Sequence, residues 1–318
     1  MKASGPPFMS VVIPFHNASA TLEKALCCLS EQSYCDYEVV LVDDCSTDES
    51  VKIPTKFRWR IVRTPRREGP ASARNLGIRA AKGSIIVCLD SDCFAHKDYL
   101  NVIRNEFESH PDTGVLTGET RIPRSSFLGD CISELGFPGG GNAGFEKIWR
   151  VSADGCTDHA CSGNSAIRRS LLERYGLFDE SLPGAEDVEF SHRLRRQGVR
   201  IRYCREMRVW HTPRSRLATF LVWQVTRGRA NYYLKKRIGN VSELVRLRLW
   251  SGRNIIRANT SRPRVFVILI LLGLSLFLQQ VGYLLEWLNP RAVEHRSNPL
   301  RKMMNDPVSR SAVIVRGS

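Results

Sequence analysis

Acidic side chains recur in this sequence where apolar runs stop. The run "IIVCL", Ile85–Leu89, ends in Asp90-Ser91-Asp92, two carboxylates with one small residue between them. The run "EVVLV", Glu38–Val42, ends in Asp43-Asp44, and a third pair, Glu186-Asp187, opens a helix expected from Ala185 to Gly198. Two carboxylates at Asp-x-Asp spacing can point at one cation. Hard oxygen ligands suit Mg²⁺ or Mn²⁺, which share their coordination shell with phosphates. A turn closed by two capping acids satisfies the same spacing, so Asp90 and Asp92 alone do not decide. Acids in a helix's first turn gain about 0.3–1 kcal/mol from the macrodipole, which by itself accounts for Glu186 and Asp187.

The elements that must hold these groups alternate. Strands are expected at Met9–Ile13, Glu38–Val42, Arg60–Arg63, Ser84–Leu89 and Val199–Tyr203. Between them, Ser19 suits the cap of a helix with Leu22, Ala25, Leu26 and Leu29 on one face. Pro70 suits the first turn of a helix that Gly83 ends. Strands alternating with helices predict an α/β fold with a mostly parallel sheet. Ligands of such sheets bind beyond the carboxyl ends of the strands, where Asp43, Asp44, Asp90 and Asp92 all fall. "PGGGNAG", Pro138–Gly144, reads as a mobile loop and a flap. Cys156, His159 and Cys161 lack the spacing of a zinc finger and a nearby fourth ligand.

The bulk numbers name a partner class. The chain has 318 residues, 42% hydrophobic and 25% charged, with a formal net charge of +15 and a pI near 9.7. That charge calls for an anionic partner. It is uneven: Arg193 to Arg264 holds twenty Lys or Arg against two acids, Glu206 and Glu243. This basic stretch abuts Val265–Leu285, an apolar run long enough to cross about 30 Å of hydrocarbon. The juxtaposition favours an anionic membrane surface over nucleic acid. Gln279 and Gln280 argue against a span, since amides are costly in lipid, so a buried helix or a hairpin in one leaflet stands beside it. The basic flank faces the cytoplasm by the positive-inside rule. Ten cysteines without CxxC pairs fit reduced thiols, and the first ten residues lack the apolar core of a signal peptide. The expected segments are residues 1–210, a catalytic domain; 211–262, a basic interfacial stretch; 263–288, a membrane helix; and 289–318, a polar basic tail.

The segments "SVVIPFHNASATLEKALCCLSEQ", "YEVVLVDDCSTDES", "EGPASARNLGIRAAKGSIIVCLDSDC", "SGNSAIRRSLLERYGLFDES" and "AEDVEFSHRLRRQG" occur in an order and spacing that resemble the family 2 glycosyltransferases of GT-A fold. The resemblance covers about residues 9 to 205. It implies an inverting transferase that uses a nucleoside diphosphate sugar and Mg²⁺ or Mn²⁺. Carried onto this sequence, it puts Pro14, Phe15 and Asn17 around the nucleotide, Asp44 on base or ribose with Asp43 in support, and Arg74 near the diphosphate. Asp92 becomes the main metal contact, with Asp90 and Ser91 beside it toward the sugar. Asp187 becomes the general base, next to Glu186. Gly163 and Asn164 shape the acceptor side, and Asp158 with His159 forms a wall of the acceptor pocket. His211 reads equally as a group near metal or diphosphate and as a structural histidine.

"QVTRGR", Gln224–Arg229, resembles only loosely the Gln-x-x-Arg-Trp motif of processive synthases, because Gly228 stands where Trp would. That departure favours transfer of a single sugar. Uridine is the expected base, with dTDP and GDP open. The acceptor implied is a polyprenyl-linked or otherwise membrane-associated glycan at the cytoplasmic face. Two readings compete. A sugar nucleotidyltransferase would use similar Asp-bound Mg²⁺ but carry a Gly-rich basic loop after the first strand, where this chain has "PFHNAS". A non-catalytic module binding anionic membrane or nucleic acid would rest on charge alone.

Overall fold

The computed structural model describes residues 7–57, 59–136, 143–259 and 261–290. Most of the expected flap and the tail after residue 290 lie outside these. The N-terminal half begins with β1 (Met9–Phe15), α1 (Leu22–Ser30), β2 (Tyr37–Asp43), β3 (Arg60–Arg63), α2 (Pro70–Ala80) and β4 (Ile85–Leu89). All four strands are parallel, in the order β3-β2-β1-β4. Val11, Val12, Ile13, Val40, Leu41, Ile86 and Val87 are fully or almost fully buried, as strands covered on both faces require. α2 starts with Pro70 in its first turn after Gly69, whose φ is 91°. α1 differs from expectation: its cap is Thr21, without a side-chain hydrogen bond, and the Ser19 amide instead donates to Asp48.

The second half continues the same sheet in mixed directions. Its elements are β5 (Cys93–Ala95), α3 (Tyr99–Ser109), β6 (Thr113–Arg121), α4 (Phe127–Glu134), α5 (Phe145–Ile148), β7 (Asn164–Arg168), α6 (Arg169–Tyr175), α7 (Glu186–Arg196) and β8 (Arg200–His211). The full order is β3-β2-β1-β4-β7-β6-β8-β5. β7 runs antiparallel to β4, so its start lies beside the end of β4, with Asn164 opposite Leu89. β8 runs antiparallel to β5, which sets His211 opposite Cys93. Those two reversals bring late-chain residues to the carboxyl end of β4.

Three helices follow: α8 (Leu217–Ile238), α9 (Ser242–Ala258) and α10 (Arg262–Leu288). α10 is long and apolar enough to cross a membrane by length and composition. One side of it is docked over its whole length. Arg264 meets Asp130 of α4 at 3.2 Å, Gln279 donates to Gln224 of α8 at 2.9 Å, and Glu286 accepts from Tyr233 at 2.6 Å. The pairs Gln224–Gln279 and Tyr233–Glu286 show α8 and α10 running in the same direction. Gly228 and Gly282 permit this approach, since a Cβ on either would lie 2.1 Å from a backbone carbonyl oxygen of the other helix. The opposite side of α10 exposes Phe266, Leu269, Ile270, Phe277, Leu284 and Leu285.

Candidate active site

β1 and β2 end side by side, with Phe15 opposite Asp43. Pro14 and Phe15 are buried in β1, so of the expected turn only His16 and Asn17 carry accessible surface. Asn17 adopts φ 49°. Its side-chain oxygen accepts from the amides of Thr47 at 2.8 Å and Asp48 at 3.3 Å, tying the two loops together. Asp43 accepts from the Ser46 amide at 2.7 Å and faces Arg63 at 3.2 Å. Asp44 accepts from the Thr64 hydroxyl at 2.9 Å and from the amides of Glu68 and Gly69 at 2.8 and 2.9 Å. An ionised carboxylate has about four acceptor positions, so Asp44 keeps only one for a ligand. Its main work here is to fix the loop that leads into α2.

At the end of β4, Arg74 of α2 is buried and bridges two acids. It donates to Asp90 at 2.6 Å and to Glu186 at 2.7 Å. Burial opposes its charge, but the two carboxylates outweigh that and hold it protonated. Both terminal nitrogens are engaged with protein, so Arg74 orients Asp90 and Glu186. Gly163 is small for a stated reason. A Cβ there would lie 2.3 Å from Asp90 Oδ2.

Asp92 faces His211 at 3.1 Å and Arg214 at 3.5 Å. His211 Nδ1 lies 2.7 Å from the Thr212 carbonyl oxygen. A carbonyl only accepts, so Nδ1 carries a proton in that contact. Nε2 makes no hydrogen bond among the described residues and is buried. Nε2 faces Asp92 Oδ2 at 3.1 Å, and a proton or a cation between imidazole and carboxylate satisfies that pair. Imidazole plus carboxylate fits a Mn²⁺-type ion. Cys93 completes the one cluster of metal-ligating side chains among the described residues. Burial pushes its thiol well up, so it is a poor ligand for a hard cation. Burial also works against ionisation of Asp92, but His211 and Arg214 overcome it and keep the carboxyl below its ordinary range. Ser91 sits half-buried in the turn between the two Asp residues.

Asp187 stands in the first turn of α7, after Ala185 at φ 60°. One carboxylate oxygen accepts from the Val188 amide at 2.8 Å. The other lies 3.5 Å from Nε2 of His159, whose ring stacks on Trp149 at 3.7 Å. Burial raises the carboxyls of both Glu186 and Asp187, against the pull of Arg74. Burial, with the nearby Arg227 and Arg248, holds His159 down to about 3, so it is neutral. Two sequence expectations change here. Asp158 pairs with Arg195 at 3.0 Å and lines two neighbouring grooves, one of which shares Trp149, His159, Val188 and Leu247 with the cavity, whereas His159 lines the cavity itself. Asn164 is buried, accepts from Tyr99 at 2.9 Å and donates to the Glu119 carbonyl at 3.1 Å. Its amide is engaged inside the sheet, and with Gly163 it forms part of the cavity wall.

These groups share one cavity of about 450 Å³, lined by Asp90, Gly163, His159, Glu186, Asp187 and His211. Part of its wall comes from beyond residue 210: Arg214, Trp223, Arg227, Leu247 and Arg248. The expected boundary at 210 therefore cuts through the site, one residue before His211. Sequence spacing did not flag Trp149, Arg214 or Arg248, each a lone residue without a partner motif.

Proteins to which this chain is similar are named as glycosyltransferases. An uncharacterized glycosyltransferase of Haemophilus influenzae is 38% identical over 99 residues, 30% of this chain and 40% of that protein. Glycosyltransferase AglE of Haloferax volcanii is 26% identical over 220 residues, 65% of this chain and 68% of that protein. The mannosyltransferase PcManGT of Pyrobaculum calidifontis, solved with GDP-Man and Mn²⁺, matches with a TM-score of 0.53 at 19% identity over 95% of this chain and 79% of its own. S. aureus TarS 1-349 with UDP-GlcNAc matches with a TM-score of 0.51 at 18% identity over 86% of this chain and 89% of its own. These likenesses establish the GT-A-type α/β fold. The profile described as Glycosyl transferase family 2 matches residues 10–176, from β1 through the acidic turn of β4 to α6, and the chain belongs to that family.

Proposed function

We propose that the chain moves one sugar from a nucleoside diphosphate sugar, a UDP-sugar first, to a hydroxyl of a lipid-linked or other membrane-associated glycan, with inversion. The observation that carries this is the convergence of Asp90, His211, Glu186 and Asp187 on one cavity, with Asp92 held 3.1 Å from His211 behind its wall. Asp187 takes the proton of the acceptor hydroxyl, a poor nucleophile until a positioned carboxylate does so. Neutral His159 and the Val188 amide fix the Asp187 carboxylate in place. Arg74 holds Asp90 and Glu186 at set positions. Arg214, next to Asp92, meets the negative charge that grows on the departing diphosphate. Asp92 and His211, with Asp90 beside them, would hold a divalent cation, which would supply further positive charge toward that leaving group. Mn²⁺ accompanies GDP-Man in the PcManGT structure and UDP with GalNAc in that of GalNAc-T7, and TarS is solved with UDP-GlcNAc, which supports the donor and metal classes.

Family membership argues against nucleotidyl transfer and against a module without catalysis. The single-sugar reading rests on Gly228: it seats α8 against α10, and a Trp there would meet the Gln279 carbonyl. Membrane association rests on the exposed apolar side of α10 beside the basic helices α8 and α9, and the cytoplasmic face rests on that charge. The test is a screen of UDP-, dTDP- and GDP-sugars for hydrolysis by the purified chain with Mn²⁺ or Mg²⁺. Slow, EDTA-sensitive turnover of one donor class is expected. No metal-dependent turnover or nucleotide binding by folded protein would overturn the proposal.

A further inference from the structure

We infer that α10 lies in the surface of one leaflet and does not cross the bilayer, so that the residues before and after it stay on the same side. The inference deepens, and rests on, the membrane association proposed above. α10 has 27 residues, about 40 Å of helix, against about 30 Å of hydrocarbon. Its length allows a span. What is fastened to it opposes one.

The docked residues of α10 run from end to end. Arg264 in the first turn pairs with Asp130 of α4. Ile268 and Leu271 share an apolar cluster with Phe220 of α8 and Ile255 of α9. Ser275 and Gln279 bond to Gln224, Gly282 meets the Val225 carbonyl, and Glu286 bonds to Tyr233. These positions recur every three or four residues, so they form one stripe. A crossing helix would draw the partners of that stripe into the hydrocarbon with it. From Gln224 to Ile238, α8 holds five Lys or Arg and no acid. Lys235 lies over the Tyr283 ring of α10 at 5.7 Å, so these charges travel with α10. Cations are costly at that depth. In the surface of a leaflet they stay at the headgroups, and the stripe stays on the protein.

The opposite side suits that position. Apart from Gly273 and Gln280, every exposed residue of α10 from Phe266 to Leu288 is apolar. Cations border this side at both ends: exposed Arg257 and Arg262 lead into it, and exposed Lys235 and Lys236 stand near its far end. A second copy placed against it would oppose like charges, whereas anionic headgroups neutralise them. Lipid is therefore its occupant. The flanks add an independent sign. Residues 253–264 hold four Arg and no acid, and residues 291–318 hold six Lys or Arg against two acids. A basic flank stays on the cytoplasmic side, and here both flanks are basic.

The experiment places a different tag at each end of the full chain, expressed in bacterial cells. Sealed membrane vesicles of each orientation are digested with proteinase K, and a trapped soluble protein checks the seal. With the cytoplasmic face outward, both tags should be lost. With that face inward, both should survive. Survival of the C-terminal tag alone in the first set, or its loss alone in the second, would put the two ends on opposite sides and overturn the inference. Membrane association is read separately, as the share of the chain that sediments with the vesicles. A chain left in the supernatant would fault that reading, and this one with it. A dimer there that Phe277→Ser/Leu284→Ser turns to monomer would assign the apolar side to a second copy.

Discussion

Asp90 occupies the space in which Gly163 would carry a Cβ, at 2.3 Å from its carboxylate oxygen. Gly163→Ala should therefore push Asp90 off Arg74 and lower metal-dependent donor turnover at least tenfold, at a stability cost of about 1–3 kcal/mol. Paired turnover and thermal-melting measurements check both. Asp187 works deprotonated, and burial raises its carboxyl above the ordinary 3.8. The rate should fall as pH drops through that raised value, so the acid limb of kcat stands above the titration of an exposed Asp. His159, held at about 3, stays neutral there and contributes no limb. Its effect is on stability. A histidine depressed from 6.5 to about 3 stabilises the fold above pH 6.5 and loses that contribution as pH falls toward 3. His159→Phe should flatten the stability slope in that window, measured by denaturant unfolding at several pH values. At this scale the sequence already displayed Asp90, Asp92, Gly163 and Asp187, because each sits in a spaced motif. Asp44 and Asn164 were assigned ligand contacts because motif position does not reveal how many acceptor or donor sites the backbone has already taken. Arg227 was visible as the Arg of the loose Gln-x-x-Arg match and Arg248 only as a member of a basic stretch, since the side of a helix that meets a cavity depends on tertiary packing.

Gly228 and Gly282 show the same dependence for whole elements. An Ala at either position would bring a Cβ to 2.1 Å from a carbonyl of the other helix, whereas Gly273 on α10 has open space around it. Gly228→Ala and Gly282→Ala should each destabilise by about 1–3 kcal/mol, while Gly273→Ala should be neutral or stabilise by about 0.5–1 kcal/mol. Thermal melts of the three variants in one detergent decide it. Gln279 argued from sequence against a membrane span. It is buried against α8, donating to Gln224 and Ser275 at 2.9 Å and accepting from Asn231 at 3.2 Å, so its amide is satisfied within protein. The strands of the parallel half were legible as apolar runs. β6, "TGVLTGETR", was not, because Gly and Thr dilute the run although every residue but its last is buried. The start of α1 was misplaced because Ser19 serves the neighbouring loop and not the helix.

Across the whole molecule, the C-terminal helices belong to the catalytic unit. α8 and α9 wall the cavity, and α10, packed on α8, presents an exposed apolar side outward. The charge excess signalled this only in bulk, since +15 names a class of partner and not a surface. Phe277→Ser/Leu284→Ser should abolish sedimentation with anionic vesicles, and raised salt should weaken but not eliminate it in wild type. The central claim is that Asp92 holds the donor end of the cavity and Asp187 the acceptor end. The most direct measurement is Mn²⁺-dependent binding of the donor identified in the screen, together with its turnover, for wild type, Asp92→Ala and Asp187→Asn. Asp92→Ala should lose metal-dependent binding. Asp187→Asn should keep it while turnover falls about 10²–10⁴-fold. Wild-type turnover in Asp187→Asn, or wild-type metal-dependent binding in Asp92→Ala, would contradict the assignment.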